Sequence, residues 1–497
     1  MDAYRKTAGD DAARGPAHVG DAAAGEPPLC VDLDGTLVRS DLLLESLWAL
    51  LRRKPLFALW LPLWWARGRA RLKHEIAQRA SVDVTLLPYR EELLTRLRAE
   101  RARGRRLVLA TASDSLLADS VARHLGVFDE IIASNGEVNL KGPVKRDALT
   151  TRFGERGFDY IGDASADRVV WSSSRESWLV GVSPRTVAQL RSANPGIRVL
   201  ASAEGRAAAL FHALRLHQWV KNLLLFVPLV AAHKLFDRPA LGRTAVGFLA
   251  FGLVASGVYL LNDLVDLEHD RRHKSKRDRP FASGHLSLAA GTAFIPGLVV
   301  AGSTLAWAVS PALLAVVGLY LLITTAYSFA LKRIVMLDVL VLALLYTLRV
   351  FAGSVTADVV VSKWLLIFSI FLFLSLALIK RLTELQGLRE RGAPRNETGR
   401  GYRPEDLEIL ASLGAASGYI AVVVLALFVS SDDVTKLYSH PSYLWAACPL
   451  LLFWVSRIWL LAHRGEVHSD PIVFAIRDRV SYAIAAAMAV VLLAASR

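Results

Sequence analysis

The sequence predicts a chain in two parts: an N-terminal α/β domain on an open sheet with a helical cap, then a C-terminal all-α polytopic membrane bundle of about nine transmembrane helices. Three observations carry this. Hydrophobic residues make up 53% of the 497 residues, and the excess falls after about residue 205. Before that point, short apolar runs end abruptly in acids and hydroxyls, as strands of an open α/β sheet do at a ligand site. After it, apolar runs of bilayer length alternate with short charged loops.

Composition narrows the classes further. The net charge of +14 suits nucleic acid or a membrane protein with cationic inside loops, and the basic runs lie between apolar spans, so nucleic acid is set aside. The two cysteines, Cys30 and Cys448, sit in different halves, which excludes a disulfide framework and a CxxC metal knuckle. Residues 1–28 are rich in Ala, Gly and Asp with no apolar core and read as a disordered tail. They do not read as a signal sequence, so the α/β part is expected in the cytoplasm.

Within the first part, Leu29–Leu33 is a short apolar strand running into Asp34-Gly35-Thr36, which places Asp32 and Asp34 at its C-terminal end. A second strand, Arg106–Ala110, ends in Thr111-Ala112-Ser113-Asp114. Lys145 opens a helix in KGPVKRDAL. A third strand, Phe158–Ile161, ends in Gly162-Asp163, with Asp167 four residues on. DxDGT, a hydroxyl, a lysine and GDxxxD in that order resemble the haloacid dehalogenase (HAD) superfamily of phosphatases, over about residues 28–185. The domain is placed at 29–200, as a HAD-like, Rossmann-like sheet with a cap at about 38–105.

The resemblance implies the roles. Asp32 attacks phosphorus, and Asp34 protonates the leaving oxygen and then activates water. Thr111 (or Ser113; the motif leaves both open) and Lys145 hold the phosphoryl oxygens. Mg²⁺ sits on Asp32, Asp163 and the Asp34 backbone carbonyl, supported by Asp167. The competing reading is an inactive domain kept for assembly. The cap stretch LWALLRRKPLFALWLPLWWARGRARLKHE holds four tryptophans among many Arg and Lys, too charged to span a bilayer. Either its tryptophans are core, or it lies as an amphipathic helix in the headgroup zone.

The second part, 210–497, shows candidate spans near 222–238, 243–265, 288–309, 311–332, 335–357, 363–381, 407–431, 443–464 and 477–496. With the α/β domain inside, loops 266–287, 331–335, 380–406 and 463–476 are inside too. They hold most of the loop Lys and Arg, as the positive-inside rule asks. That places the chain in a bacterial inner membrane.

The second span ends in Asn262, Asp263, Asp266 and Asp270, followed by a loop with His273, Lys274, Lys276, Arg277 and Arg279. Asn262, Asp266 and Asp270 recur every fourth residue and stack on one helical face over about 12 Å. Like charges so placed repel unless a cation intervenes, so metal is expected there. Acids at a bilayer edge are costly without purpose.

NDxxDxxxD at this position resembles the UbiA superfamily of intramembrane prenyltransferases. Those enzymes usually carry a second aspartate-rich motif, where this chain has Lys380, Arg381 and Glu384. A narrower resemblance is to the bacterial decaprenyl-phosphate phosphoribosyltransferase branch. It rests on QWVKN (218–222, with Lys221), NDxxDxxxDxxHxxKxxRPxxxG (262–284), YSFALKR (327–333, with Tyr327 and Lys332) and LRVFAG (348–353, with Arg349). KRxxE at 380–384 and DPIVFAIRD (470–478, with Arg477) complete it.

This branch implies transfer of ribose 5-phosphate from phosphoribosyl pyrophosphate (PRPP) to a polyprenyl phosphate. Asp263, Asp266 and Asp270 would carry Mg²⁺ on the pyrophosphate, and Asp266 is counted with the catalytic residues. Asn262, His273, Lys274, Arg277 and Arg279 would grip the donor, the arginines preferably two-pronged. Lys221, Tyr327, Lys332, Lys380, Arg381, Glu384 and Arg477 complete the expected substrate-binding set. Arg349 is a costly intramembrane charge, read either as partner to the acceptor phosphate or as a structural pair with Asp338. The HAD domain would then remove the 5-phosphate, giving polyprenyl-phosphoryl ribose for cell-envelope glycans. Two rivals stand beside this: aromatic prenyl transfer with an accessory phosphatase, and a transporter with a regulatory domain. A homo-oligomer is left open.

Overall fold

The structure is a computed structural model, and it describes residues 26–496 except 164, 183, 194–195, 203–205, 274–275, 391–399, 436 and 468–469. The expected tail falls almost wholly outside these residues, as does Lys274. The chain divides into two compact units, Met1–Leu50 with Pro55–Glu204, and Leu51–Lys54 with Gly205–Arg497.

The first unit is built on six parallel strands: β1 (Leu29–Val31), β2 (Leu107–Asp114), β3 (Glu130–Ser134), β4 (Asp159–Gly162), β5 (Ser177–Val182) and β6 (Arg198–Ser202), in spatial order 3-2-1-4-5-6. In β1 the side chains alternate. Leu29 and Val31 join the apolar cluster on one face, and Cys30 the cluster on the other. Leu107 and Leu109 versus Val108 and Ala110 repeat this in β2. Burial on both faces is why these strands read as unbroken apolar runs. Strand order reverses between β1 and β4, so the crevice at their C-terminal ends is where such a sheet binds ligand. β3, β5 and β6 carry none of the motifs that mark β1, β2 and β4, and β2 runs on through Thr111 and Ser113 rather than ending at Ala110.

The cap holds α1 (Leu42–Arg53), a 3₁₀ turn at Pro55–Trp60, α2 (Leu61–Ala66), α3 (Arg69–Arg79) and α4 (Glu91–Ala102). Its tryptophans divide: Trp48 and Trp64 are buried, Trp60 and Trp65 exposed. Helices α5 (Ser115–Leu125) and α6 (Pro143–Phe153) flank the sheet.

The second unit is helical. Among the described residues eight helices are long and apolar enough to cross a membrane: α7 (Arg238–Val265), α8 (Leu288–Val309), α9 (Pro311–Phe329), α10 (Leu337–Ala357), α11 (Lys363–Glu390), α12 (Leu407–Val429, continuing the 3₁₀ turn Pro404–Asp406), α13 (Ala447–His463, continuing the 3₁₀ turn Pro441–Ala446) and α14 (Arg479–Ser496). The expected span at 222–238 is not one of them. There the chain forms a 3₁₀ segment, Leu216–Phe226, and a short helix, Val227–Ala231, with Pro228 at its start and His233 at φ 54° beyond its end. The 3₁₀ segment packs inward on α10. A Cβ on Gly353 would lie 2.2 Å from the Leu225 carbonyl oxygen, so LRVFAG needs glycine for that approach.

Candidate active sites

In the first unit β1, β2 and β4 bring the motif residues together. Asp32 follows β1, and its Oδ1 accepts from Lys145 Nζ at 2.8 Å. Lys145, from α6, also donates to the Tyr160 hydroxyl at 2.9 Å, which donates to Asp167 Oδ1 at 3.0 Å. Carboxylate oxygens of Asp32, Asp163 and Asp167 all lie within 4.8 Å of one another. Gly35, at φ 75°, lets this happen, because a Cβ there would sit 2.1 Å from Asp163 Oδ2.

Asp34 turns away from that cluster. It accepts from the Leu42 amide at 2.7 Å and the Ser113 hydroxyl at 2.5 Å. Thr111 Oγ1 accepts from the Ser113 amide at 3.0 Å, so of the two motif hydroxyls Ser113 is the one bonded to Asp34. Burial pushes Asp34 up to about 7, Asp32 to about 6 and Asp163 to about 8. Lys145 moves up to about 12 despite its burial, because Asp32 and Asp167 hold its charge. Three closely set carboxylates, Asp32 and Asp167 buried and Asp163 half-buried, form an oxygen donor set that suits a hard divalent cation.

In the second unit a cavity of about 760 Å³ takes the other motifs as its walls. Asn262, Asp263, Asp266 and Asp270 all line it. Asp263, Asp266 and Asp270 do not form a group of three whose carboxylate oxygens all lie within 4.8 Å of one another. Each takes a cation of the protein instead: Asp263 bonds Arg215 at 2.5 Å and Arg279 at 3.1 Å, Asp270 bonds Arg279 at 2.7 Å, and Lys332 bonds both oxygens of Asp266 at 2.8 Å. The repulsion that suggested metal is thus met first by guanidinium and ammonium groups. Burial lowers the Lys332 and Lys276 ammonium groups at this wall from their ordinary values.

A second cluster lines the same cavity. Lys221 Nζ bonds Asp470 at 2.6 Å, with Lys380 at 3.6 Å from the same carboxylate, and Lys221 lies 5.7 Å from the Tyr346 ring centre. Arg349 is buried in α10 and bonds Asn222, Tyr320 and the Leu345 carbonyl. It does not pair with Asp338. That acid bonds Arg381, at 2.6 Å, and Tyr402. Tyr327 and Glu384 also line the cavity, and both contact Arg381.

Several expected residues stand elsewhere. Arg381 is almost wholly buried, is absent from the cavity wall and pairs with Asp338. His273, Arg277 and Arg477 are also absent from that wall, and Arg277 and Arg477 are exposed. The loop turns Lys276 and Arg279 inward instead, since consecutive residues of a tight loop cannot all face one cavity. Arg215, Asp470, Arg400, Tyr320 and Tyr346 line it and were not singled out as ligands. Arg215 carried a signal, a lone cation three residues before QWVKN.

Comparison with known proteins places both halves in families. Residues 223–476 match the UbiA prenyltransferase family. The chain belongs to that family. Its first unit, over residues 29–168, matches the haloacid dehalogenase-like hydrolases, so the protein is a fusion of the two.

An uncharacterized protein, y4nM, of Sinorhizobium fredii is 41% identical over 93% of this chain and 90% of its own. Over the UbiA-type part, the nodulation protein NoeC of Azorhizobium caulinodans is 40% identical, covering 54% of this chain and 86% of its own. A decaprenyl-phosphate phosphoribosyltransferase of Mycobacterium tuberculosis is 32% identical, covering 56% of this chain and 91% of its own. The UbiA-type part is a multi-pass membrane domain.

Proposed function

We propose that the UbiA-type domain transfers 5-phosphoribose from PRPP to a polyprenyl phosphate, and that the HAD-type domain then removes the 5-phosphate. The observation that carries it is the cavity, with three carboxylates and their cations at one cluster and Lys221, Lys380 and Arg349 at another. PRPP has anionic groups at both ends of a ribose and needs positive charge in two places. The likeness to the phosphoribosyltransferases supports this reading. The lack of a second aspartate cluster, with Lys380, Arg381 and Glu384 in its place, counts against aromatic prenyl transfer.

The acceptor's phosphate oxygen forms a bond to the ribose anomeric carbon while the bond from that carbon to pyrophosphate breaks. Arg215, Lys276, Arg279 and Lys332 hold the donor's phosphates, and Lys221 with Lys380 holds the other anion. Arg349, held by Asn222 behind the wall, positions Tyr320 on it. The oxygen donors of Asn262, Asp263, Asp266 and Asp270 suit Mg²⁺. An ion bound by them with the pyrophosphate would offset charge on the leaving group.

In the HAD-type domain Asp32 attacks the 5-phosphate and becomes an aspartyl-phosphate. Asp34, held by Ser113 and the Leu42 amide, gives its proton to the leaving ribose oxygen and takes one from the water that completes hydrolysis. Lys145 steadies the nucleophile, and Thr111, which accepts from the Ser113 amide within β2, holds Ser113 toward Asp34. Asp32, Asp163 and Asp167 would hold Mg²⁺, with the Asp34 carbonyl and the attacked phosphate. Both sites then face the cytoplasm, and the lipid product serves envelope glycan synthesis.

The test supplies radiolabelled PRPP, Mg²⁺ and polyprenyl phosphate to purified protein beside Asp32→Asn. Lipid-linked ribose with free phosphate from the wild type, and lipid-linked ribose 5-phosphate from the variant, is the expected pair. No label in lipid removes the transferase reading.

A further inference from the structure

The cap of the HAD-type domain leaves an apolar strip in solvent. Leu56 is 76% exposed, Leu59 78%, Trp60 53% and Trp65 65%. A soluble domain rarely leaves so much large apolar surface contiguous and open. The segment Pro55–Ala66 falls well short of the ~20 residues a span requires. Its inner side is satisfied: Trp64 is buried with Leu50 and Ile76, and stacks on Phe57 at 5.9 Å.

Directly after it come Arg67 and Arg69, both exposed. With Arg71 they line a cleft of about 560 Å³, closed on its other side by Gly136, Glu137 and Asn139. Arg71 is paired with Glu75 at 2.6 Å. Leucine and tryptophan beside a row of arginines is the chemistry of a bilayer interface, where rings sit at headgroup depth and guanidinium groups meet phosphate.

Helix α3 ties this surface to the catalytic strand. Lys73, one turn beyond Arg69, donates to the Ala112 carbonyl at 2.5 Å and to Asn139 Oδ1 at 2.9 Å. His74 Nδ1 lies 2.9 Å from Asp114 Oδ2. Asn139 therefore belongs both to the arginine cleft and to the bridge onto the end of β2, whose Ser113 holds Asp34.

We propose that the strip Leu56–Trp65 and the arginine cleft dock the HAD-type domain on an anionic bilayer surface, so that its β-strand ends meet a phosphate carried on lipid. Among its described residues the same chain carries eight candidate spans, so the bilayer is within reach of its own tether. Arg67 and Arg69 complement the negative headgroups. The docking is independent of the transferase reading. Its use for a lipid-borne phosphoester rests on the phosphatase reading.

The experiment uses the full chain in vesicles of phosphatidylethanolamine and phosphatidylglycerol. A nitroxide is placed at Leu59→Cys, or at Asp119→Cys on the exposed face of α5, in a Cys448→Ser background. Cys30 is fully buried and stays unlabelled. Docking predicts that the Leu59 label relaxes faster with oxygen than with a water-soluble nickel complex, and that the Asp119 label does the reverse. The combined variant Trp60→Ser, Trp65→Ser, Arg67→Glu, Arg69→Glu is expected to return the Leu59 label to water. It should also cut turnover of a vesicle-held sugar phosphate roughly tenfold, with hydrolysis of soluble p-nitrophenyl phosphate unchanged. Nickel access at Leu59 equal to that at Asp119 overturns the proposal. A lipid-immersed label in a protein that hydrolyses no phosphoester keeps the docking and removes the phosphatase reading.

Discussion

Lys221 and Asp470, 249 residues apart, meet at 2.6 Å on the cavity wall. The contact joins the 3₁₀ entry segment to the chain just before α14. Both side chains are nearly buried, so losing one strands the other. Asp470→Ala is expected to cost roughly 3 kcal/mol and to lower Tm in detergent. Lys221→Met with Asp470→Leu should recover most of that stability but not the transfer of label from PRPP to lipid. Recovery of both would make the pair structural only.

Arg279 and Arg277 lie two residues apart in one loop, yet only Arg279 reaches Asp263 and Asp270. Arg279→Ala is expected to lower transferase kcat/KM about 100-fold. Arg277→Ala should stay within about threefold, as for an exposed rim charge. Steady-state rates with varied PRPP decide it, and equal losses would contradict the cavity wall described.

Asp32→Asn removes the nucleophile while keeping the shape of the side chain. Release of phosphate from the HAD-type site should fall at least ~10³-fold, with incorporation of ribose 5-phosphate into lipid unchanged. Chromatography of the labelled lipid separates the two products. Reduced incorporation would mean that the two sites are coupled.

Burial holds Asp34 at about 7 and Asp163 at about 8, above the ordinary carboxyl value of 3.8. The folded domain therefore keeps protons that the unfolded chain has released. The stability this gives is complete below about pH 4 and is lost as pH rises through 7 and 8. In EDTA, hydrogen exchange in β1 and β4 should quicken from pH 5 to pH 8 beyond its intrinsic rise, and Mg²⁺ should suppress the excess. A flat corrected profile would show that the carboxylates ionise without penalty.

The local signals were strong where chemistry and backbone coincide. DLDGT placed two acids and a turn glycine after a buried strand, and the structure makes glycine necessary there because it takes φ 75° and Asp163 packs against it. Asn262, Asp263, Asp266 and Asp270 announced a site at a helix end, and all four line the cavity. The apolar runs marked the membrane helices by length alone. Residues 222–238 are apolar enough for a span, yet inward packing ends a 3₁₀ segment at Phe226 and the helix begun at Val227 stops at Ala231.

The sequence by itself determined the two halves, their order, the acids of each site and the sheet's central strands, since these depend on periodicity, burial and turn chemistry along the chain. Only the tertiary structure decided the counter-charges. Arg215 reaches Asp263, Lys332 reaches Asp266, and Asp470 reaches Lys221, across separations of 48, 66 and 249 residues. It also withdrew Arg381 from the site by burying it against Asp338. Charge pairing in a low-dielectric interior falls to whichever partner packing brings near, and spacing along the chain does not encode that choice.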